Sequence, residues 1–369
     1  MSNTPNIRFK GFADAWEWRK AKELCSIGTG KSNTQDQVSD GKYPFFIRSD
    51  VPVKSNKYLY DCEAVITIGD GNIGKVFHYV NGKFDLHQRC YKMTNFQDIW
   101  GRYFYYFFSA KFYDRAMKMS AKATVDSVRL EMISEMDILK PKQIAEQKMI
   151  AEYFTNLDNL ITLHQRKCDE MSELKKFMLQ KMFPKNGEQF PEIRFSGFTE
   201  PWEQRKLGEV YSFKYGEFNN NPDNGGKYPI YGANGIIGGY TEWNAENSSV
   251  IGHMGAYAGT VLWGEGKHFV TYNGTIARPL EDSFDSKFGY YVLLQKDINR
   301  ICAGSGLPFL SYEQLNKIDI IYPSDLNEQF KIQENLTNLD NLITLHQRKC
   351  DELKELKKFM LQNMFPKKG

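Results

Sequence analysis

Apolar residues recur at helical spacing over one long stretch in the middle of the chain. No glycine or proline interrupts residues 151–183, and Pro184 is expected to end the helix. Thirty-three helical residues make a rod of roughly 50 Å. The positions alternate at spacings of four and three, which is the a/d pattern of a coiled-coil seam: Ile150, Phe154, Leu157, Ile161, His164, Cys168 and Met171.

The same helix is encoded a second time near the C-terminal end. Residues 155–184 and 337–366 align without a gap at an offset of 182, and only three of the thirty positions differ. Two such helices most simply pack against each other, although each could instead pack on its own domain. The predicted spacer and subunit-interface positions are Leu157, Ile161, His164 and Met171 in the first copy, and Leu339, Ile343, His346 and Leu353 in the second.

The duplication extends over the whole chain. Residues 7–24 (IRFKGFADAWEWRKAKEL) return as residues 193–210 (IRFSGFTEPWEQRKLGEV) at an offset of 186, and residues 185–191 read as a polar linker. We therefore predict four parts: a first domain (1–148), a central spacer helix (149–184), a second domain (185–332) and a C-terminal spacer helix (333–369).

The two domains share one outline but differ in sequence. Predicted strands at 42–48 and 64–68 have counterparts at 227–232 and 249–251, and residue pairs 83–84 and 268–269 are expected to open a further strand. Predicted helices at 103–108 and 290–294 follow. A strand ending in proline (136–141 and 318–323) and then a Glu-Gln pair (146–147 and 328–329) close each domain. The same order of predicted elements with different residues in them is expected of two recognition modules that read different targets.

One glycine-rich stretch matches the GxGxxG spacing of a dinucleotide site. It is Gly69 to Lys75 (GDGNIGK), and it follows a predicted strand. A dinucleotide-binding turn must open a helix, whereas VFHYVNGKF, with a turn expected at Asn81-Gly82, is typical of strands. We therefore predict a tight hairpin with no cofactor.

Composition indicates a globular chain without a metal site or membrane segment. Of 369 residues 41% are hydrophobic and 25% charged, and the net charge of +3 permits nucleic-acid binding only if basic groups cluster. The six cysteines lack metal-ligand spacing and are expected to be reduced thiols in a cytoplasmic protein. No signal peptide and no apolar run approaching 18 residues is present.

No catalytic constellation stands out. An Asn/Asp-Pro-Pro-aromatic motif, which a DNA methyltransferase needs for the flipped base, is missing from the sequence; Asn221-Pro222-Asp223-Asn224 does not fit. No Ser/His/Asp order and no HExxH motif is found either. We expect this chain to carry no catalytic residue.

Basic, amide and aromatic residues give diffuse support for nucleic-acid binding. Such groups can contact phosphates and base edges. A solvated helix face explains the basic run at 111–122 equally well, and turn formation explains many of the asparagines. The candidates are Lys31, Arg48, Lys54, Lys57, Arg89, Lys118 and Lys122 in the first domain, and Asn219, Tyr231, Asn234, Tyr257, Tyr272 and Asn273 in the second.

The combination of these features resembles the DNA specificity subunit of type I restriction–modification enzymes. The resemblance covers both halves and lies in YPIYGANGIIGGY (228–240), the closure by proline, Glu-Gln and long helix, and the repeated NLDNLI. It implies an α+β fold with two similar mixed α/β target-recognition domains. Two long helices, packed as an antiparallel coiled coil with pseudo-twofold symmetry, would separate them.

The resemblance also implies a role and partners. Each domain would read one half of an asymmetric bipartite site on double-stranded DNA. Two modification (methyltransferase) subunits would methylate adenine with S-adenosylmethionine, and two restriction (motor/nuclease) subunits would cleave with ATP and Mg²⁺. The chain itself would bind no cofactor and no metal. No base-reading residue carries over from the family, so the candidate residues above rest on composition alone.

Two other functions fit parts of the pattern. A protein-interaction scaffold could use the long helices to recruit partners and the domains to bind peptides. A stand-alone methylase is the third possibility, which the missing motif disfavours.

Overall fold

The structure is a computed structural model that describes residues 4–120, 127–185, 187–218, 223–302 and 308–366. The chain forms two compact units, one of Met1–His164 with Arg348–Gly369 and the other of Gln165–Gln347. Each unit therefore contains one domain and a part of both long helices.

The described residues of the first domain, with the long helix that follows it, form eight strands and four α-helices. The strands are Glu17–Lys20 (β1), Ser26–Thr29 (β2), Tyr43–Phe46 (β3), Val53–Ser55 (β4), Tyr60–Ile68 (β5), Phe77–Leu86 (β6), Cys90–Thr94 (β7) and Asp137–Lys140 (β8). The helices are Ala21–Leu24 (α1), Gly101–Ser120 (α2), Leu130–Ser134 (α3) and Ile144–Lys181 (α4), which continues into the second unit.

The second unit repeats this series. Its strands are Glu203–Lys206 (β9), Tyr211–Tyr215 (β10), Tyr228–Gly232 (β11), Gly235–Tyr240 (β12), Ala245–Gly252 (β13), Val261–Val270 (β14), Gly274–Pro279 (β15) and Asp319–Tyr322 (β16). Its helices are Leu207–Val210 (α5), Ser286–Gln295 (α6), Tyr312–Asn316 (α7) and Leu326–Met364 (α8), which continues into the first unit.

Both domains have the same sheet topology. The order β2-β7-β5-β6-β3-β4 in the first corresponds strand for strand to β10-β15-β13-β14-β11-β12 in the second, and each domain adds a two-stranded sheet, β1-β8 or β9-β16. The pairs β3/β6 and β11/β14 are parallel and the other pairs are antiparallel, so the sheets are mixed. The predicted α+β class is confirmed.

Alternation along β5 builds two apolar layers in the first domain. Ala64, Ile66 and Ile68 pack with Phe84 and other strand residues in a small cluster inside the curled sheet. Val65 faces the opposite way, into the larger core that α2 covers. The sheet thus carries apolar side chains on both faces. Polar side chains that could bind a ligand are therefore sought in the loops at the ends of the strands.

The predicted hairpin is confirmed, but the strand that follows it is longer than expected. β5 pairs antiparallel with β6, and β13 with β14. The prediction of a turn at Asn81-Gly82 is wrong. Gly82 pairs with Cys62 of β5, and β6 continues to Leu86. Residues 83–84 and 268–269 consequently lie near the ends of β6 and β14 rather than opening a new strand.

The two long helices pack antiparallel, as predicted. In the first unit Asp158 of α4 pairs with Lys357 of α8. In the second unit Asp340 of α8 pairs with Lys175 of α4 at 2.6 Å. The two contacts use equivalent repeat positions with the roles of the helices exchanged, so one helix sequence is complementary to its own antiparallel copy.

Each helix begins earlier than the predicted boundary, at Ile144 rather than 149 and at Leu326 rather than 333. The Glu-Gln pair is the reason. Buried Glu146 accepts hydrogen bonds from Arg8 at 2.6 Å and from the Trp16 indole at 3.2 Å, while Gln147 bonds the backbone of the preceding loops.

The second unit repeats this arrangement with Glu328, Arg194 and Trp202. The duplicated lead-in is therefore the segment that holds the first turn of each long helix.

The far end of each helix is anchored by an aromatic side chain. Phe365, just after α8, packs against Tyr103, Phe107 and Phe154 in the first unit at ring-centroid distances of 5.4–5.6 Å. Phe183, just after α4, packs against the rings of Trp202 and Phe288 in the second unit. The ending MFP, which both copies of the repeat share, thus inserts into a domain core in each unit.

Candidate nucleic-acid interface

Four connections meet at one end of the curled sheet in the first domain. The residues after β2, β3 and β5 and the short β6–β7 connection are tied together by backbone hydrogen bonds. Gly30 N–H donates to Cys90 O at 3.1 Å, His87 N–H to Phe46 O at 3.0 Å, and Gly69 N–H to Arg89 O at 2.7 Å. These bonds fix the positions of four short loops relative to one another.

Two arginines and one aspartate occupy this loop end. Arg48 Nη1 donates to Asp70 Oδ1 at 3.1 Å, and Arg89 Nη1 donates to Asp70 Oδ2 at 2.8 Å. Partial burial raises the pKa of the Asp70 carboxyl, but hydrogen bonds from Arg89 and Arg48 outweigh burial and hold that pKa below its usual value. The group carries two positive charges around one negative charge at neutral pH.

The surroundings of these charges are polar and open. Arg48 and Asp70 line a recess of about 400 Å³ together with Thr34, Gly71 and Asn72. The positive φ of Gly71, +82°, permits the sharp turn after β5.

A histidine lies directly beneath the arginines. Burial, together with the charges of Arg48 and Arg89, lowers the pKa of His87, so its ring is neutral at pH 7. His87 Nδ1 accepts a hydrogen bond from the Arg89 N–H at 3.1 Å. The imidazole therefore supports the backbone that carries Arg89.

The structure brings Lys31 into the same loop end, since its N–H donates to Leu86 O and its side chain is exposed. Lys54 is exposed on β4, and Lys57 pairs with Asp36 at 2.9 Å. Lys118 lies in the last turn of α2 and lines a different recess, which shares no residue with the Arg48 recess. The remaining candidate of this domain, Lys122, lies outside the described residues.

The second domain fixes the equivalent loops with equivalent bonds. Gly216 N–H donates to Gly274 O, Thr271 N–H to Tyr231 O, and His253 N–H to Asn273 O. Isolated bridges also correspond: Ser32–His87 with Glu217–Thr271, and Asp70–Ser127 with Met254–Phe309. Met254 thus stands where the first domain has Asp70, and Asn273 stands where it has Arg89.

The chemistry of this second loop end is aromatic. Phe218 is 74% exposed and packs edge-on against Tyr272 at 6.2 Å between ring centroids. Buried His253 contacts Tyr272 at 5.8 Å and Phe309 at 5.9 Å, and burial lowers its pKa, so it is neutral at pH 7. The Tyr272 hydroxyl donates to Met254 Sδ at 3.0 Å. The loop end of the second domain thus presents aromatic rings and the Met254 thioether, where the first domain has the charged side chains of Arg48, Asp70 and Arg89.

Four of the predicted residues of the second domain are exposed at or beside this loop end: Asn234, Tyr257, Tyr272 and Asn273. Tyr231 is only 8% exposed, and its ring packs edge-on against His268 in the core of the sheet. Asn219 lies outside the described residues.

Composition had not singled out Asp70, Phe218 or Met254. The equivalence of Asp70 with Met254 comes from the structure, because the sequence offsets of 186 and 182 place residue 70 opposite residue 256 or residue 252.

The predicted spacer positions are buried or half-buried on the long helices. Leu157 and Leu339 are buried, and Ile161, His164, Met171, Ile343, His346 and Leu353 are half-buried. In the first unit the Cys350 thiol lies 3.9 Å from Ile161 O, and in the second the Cys168 thiol lies 3.9 Å from Ile343 O. The seam pattern therefore describes the packed side of the helix pair.

Beside the seam, both helices expose large apolar side chains. We call these residues the flank stripe: Leu160, Leu163, Leu174 and Phe177 on α4, with Leu342, Leu345, Leu356 and Phe359 at the equivalent positions of α8; each is 37–54% exposed. Leu160, Leu163, Leu356 and Phe359 belong to the first unit, and the other four to the second. Each unit thus carries the same four repeat positions as an exposed apolar surface.

The described residues contain neither a membrane-spanning helix nor a group of metal ligands. No described helix is both long enough and apolar enough to cross a membrane. Within the same ranges, no three His, Cys, Asp or Glu side chains are grouped so that they could hold a metal ion.

Comparison with known proteins identifies the class. The family model of the type I restriction modification DNA specificity domain matches residues 13–173 and again residues 199–355. The chain therefore belongs to this family, with one specificity domain in each half, and it is a specificity subunit of the type I restriction–modification class. Subunits of this family are generally non-catalytic.

Individual relatives agree with this assignment. The chain is 25% identical over 393 aligned positions to the type I restriction enzyme MjaVIII specificity subunit of Methanocaldococcus jannaschii, covering 93% of this chain and 90% of that one. It is 24% identical over 267 positions to a putative type I specificity subunit of Mycoplasma genitalium, covering 69% and 68%.

A solved structure gives the fold independently. The crystal structure of the S subunit of a type I restriction–modification system from M. genitalium matches with a TM-score of 0.83 at 19% identity, over 99% of this chain and 100% of that one.

Proposed function

We propose that this chain reads an asymmetric bipartite site on double-stranded DNA, one half with each domain. One observation carries the proposal: equivalent loop ends on equivalent sheets hold charged groups in the first domain, Arg48, Asp70 and Arg89, and aromatic and amide groups in the second. A framework kept constant while its loop chemistry changes is suited to reading two different half-sites.

Helix length supports the gap between the half-sites. α4 has 38 residues and α8 has 39, so each rod is about 57 Å long. Successive major grooves on one side of DNA recur about every 34–36 Å. We propose that bases between the two footprints are crossed without being read.

We further propose that the chain directs other subunits to the DNA site, and that those subunits carry out the reactions. Two modification subunits would bind the flank stripe, one in each unit, and methylate adenine with S-adenosylmethionine. Two restriction subunits would add cleavage with ATP and Mg²⁺. The flank stripe supports this stoichiometry because the same exposed apolar positions occur in both units.

This chain would contribute no catalytic group and bind no cofactor. We place it in the cytoplasm, where its six free thiols would stay reduced.

Binding by the lone chain should be weak and dependent on salt. The net charge is only +3, so partners would have to supply much of the phosphate neutralisation. A gel-shift titration of the chain with and without modification subunits, against random duplex DNA at low salt, tests this. We expect a weak shift alone and a tighter one in the complex; no shift of the complex at low salt would leave a protein-interaction scaffold as the better function.

Incubation with labelled S-adenosylmethionine tests the location of the chemistry. Label should reach DNA only when modification subunits are present. Transfer by the purified chain alone would show that the chain is itself a methylase and overturn the proposed division of roles.

A further inference from the structure

The Arg48–Asp70–Arg89 group is built differently from an ordinary surface ion pair. One carboxylate accepts from two guanidinium groups through separate oxygens, at 3.1 Å and 2.8 Å. Asp70 is the most enclosed of the three, at 21% exposure, while Arg48 and Arg89 remain 44% and 60% exposed. Among the described residues each contact uses only Nη1, which leaves the Nε–Nη2 edge of both arginines to bond a ligand.

The backbone beneath the group is also constrained. Gly69 N–H bonds Arg89 O, and Gly69 O accepts from Val128 N–H at 2.7 Å. His87 supports the N–H of Arg89 from below. The backbone of Arg89 is therefore held in place, and Asp70 restricts the side chains of both arginines, which lowers the entropy lost when they bind a target.

The orientation of the group favours a base edge over a phosphate. Two separated arginines would bind a phosphate equally well without Asp70, and its negative charge would repel a phosphate brought to the same place. A planar guanidinium edge matches the two acceptors O6 and N7 of guanine in the major groove, where a bidentate contact is possible. A carboxylate that orients two guanidinium groups therefore favours contacts to guanine bases, and its negative charge disfavours contacts to the phosphates of the DNA backbone.

The second domain provides the contrast. Its matching positions are Met254 and Asn273, and its loops at 216–218, 233–234, 253–260 and 271–273 contain no lysine or arginine. These loops of the second domain therefore offer no pair of arginines equivalent to Arg48 and Arg89.

We propose that Arg48 and Arg89, oriented by Asp70, read guanine in the half-site of the first domain through its major-groove edge. Arg48 and Arg89 are the contacting residues, and Asp70 is a positioning residue. The inference rests on the proposed function, since it requires the first domain to read one half of the site.

Selection from a random duplex library by the full chain, assembled with its modification subunits, tests the inference. Arg48→Lys and Arg89→Lys keep the charge but lose the bidentate edge. We expect each to lower the preference for guanine at one position of the first half-site by about 5- to 100-fold. Asp70→Asn should lower it at both positions, with the second half-site unchanged.

Arg19→Lys is the matched control, because Arg19 is also an exposed arginine paired with a carboxylate, Glu23 at 2.6 Å, but it lies on β1. Its selected motif should equal that of the unaltered chain. The melting temperature of each variant checks folding.

Two results would overturn the inference: a first half-site without guanine, or lysine variants that weaken binding to all sequences equally, as expected of phosphate contacts. Failure of the proposed function looks different, because the unaltered complex would then select no bipartite motif at all.

Discussion

At the residue scale, sequence reasoning identified exposed cations but not the arrangement that orients them. Arg48 and Arg89 were predicted as candidates, whereas Asp70 was not. The three residues are separated by 19 to 41 positions and meet only because the sheet curls and its loops return to one end. Local patterns contain no information on such a meeting.

The buried carboxylate at the start of each long helix provides a prediction at the same scale. Glu146 is 1% exposed and Arg8 12% exposed, so removing one partner leaves a nearly buried charge unpaired. We expect Glu146→Ala to lower the free energy of unfolding by about 3–5 kcal/mol in a urea titration. Glu328→Ala, in the second unit, should cost a similar amount.

The control for this pair is Glu23→Ala, which breaks the exposed ion pair with Arg19 and should change the free energy of unfolding far less than Glu146→Ala does. Equal costs for Glu23→Ala and Glu146→Ala would contradict a structural role for the buried pair.

At the scale of elements, periodicity predicted the long helices well because a seam is a local pattern. The four-and-three spacing found the buried side, and Pro184 marked the end of the helix to within three residues. The spacing did not show that Leu160, Leu163, Leu174 and Phe177 stay exposed, which they do because a two-helix seam covers only a narrow strip of each helix.

The helix pair itself predicts a measurable coupling. Asp158 accepts from the Tyr106 hydroxyl at 2.9 Å and pairs with Lys357 of the opposite helix. A double-mutant cycle of Asp158→Ala and Lys357→Ala should give a coupling energy of about 0.5–1 kcal/mol, the range of partly exposed ion pairs. The pair Glu355–Lys358, which lies within one helix, is the control and should couple more weakly. A coupling of zero between Asp158 and Lys357 would mean that this contact does not hold the helices together.

The flank stripe predicts how many partners each variant binds. A charge in the middle of an apolar contact surface is costly to bury. We expect Phe359→Glu, in the first unit, and Phe177→Glu, in the second, each to reduce the complex from two modification subunits to one. The double variant should bind none. Native mass spectrometry counts the subunits, and two bound subunits in either single variant would rule out the stripe as their binding surface.

At the scale of the whole molecule, the duplication was readable from the sequence and determined most of the prediction. The offsets of 186 and 182 located two equivalent domains and two equivalent helices. Sequence could not assign the loops to one end of each sheet, because the parallel pairing of β3 with β6 and of β11 with β14 joins residues about forty positions apart.

Helix length provides the prediction that belongs to this scale. Inserting four residues at equivalent positions of α4 and α8 adds about one turn, or roughly 6 Å, to each helix. We expect the unread gap of the target to lengthen by one or two base pairs at about 3.4 Å each. Mapping of methylated adenines reads the gap directly, and an unchanged gap would refute a rod-like spacer.

The most direct measurement of the central claim uses the duplication itself. Replacing residues 211–323 by a copy of residues 25–141 would give the chain two first domains on an unchanged pair of helices. Genome-wide mapping of methylated adenines, in cells that also express the modification subunits, would then show which sequence is read. We predict an asymmetric bipartite motif for the unaltered chain and a palindromic motif, made of two copies of the first half-site, for the exchanged chain. A motif that stays asymmetric after the exchange, or one that changes in both halves, would contradict the assignment of one half-site to each domain.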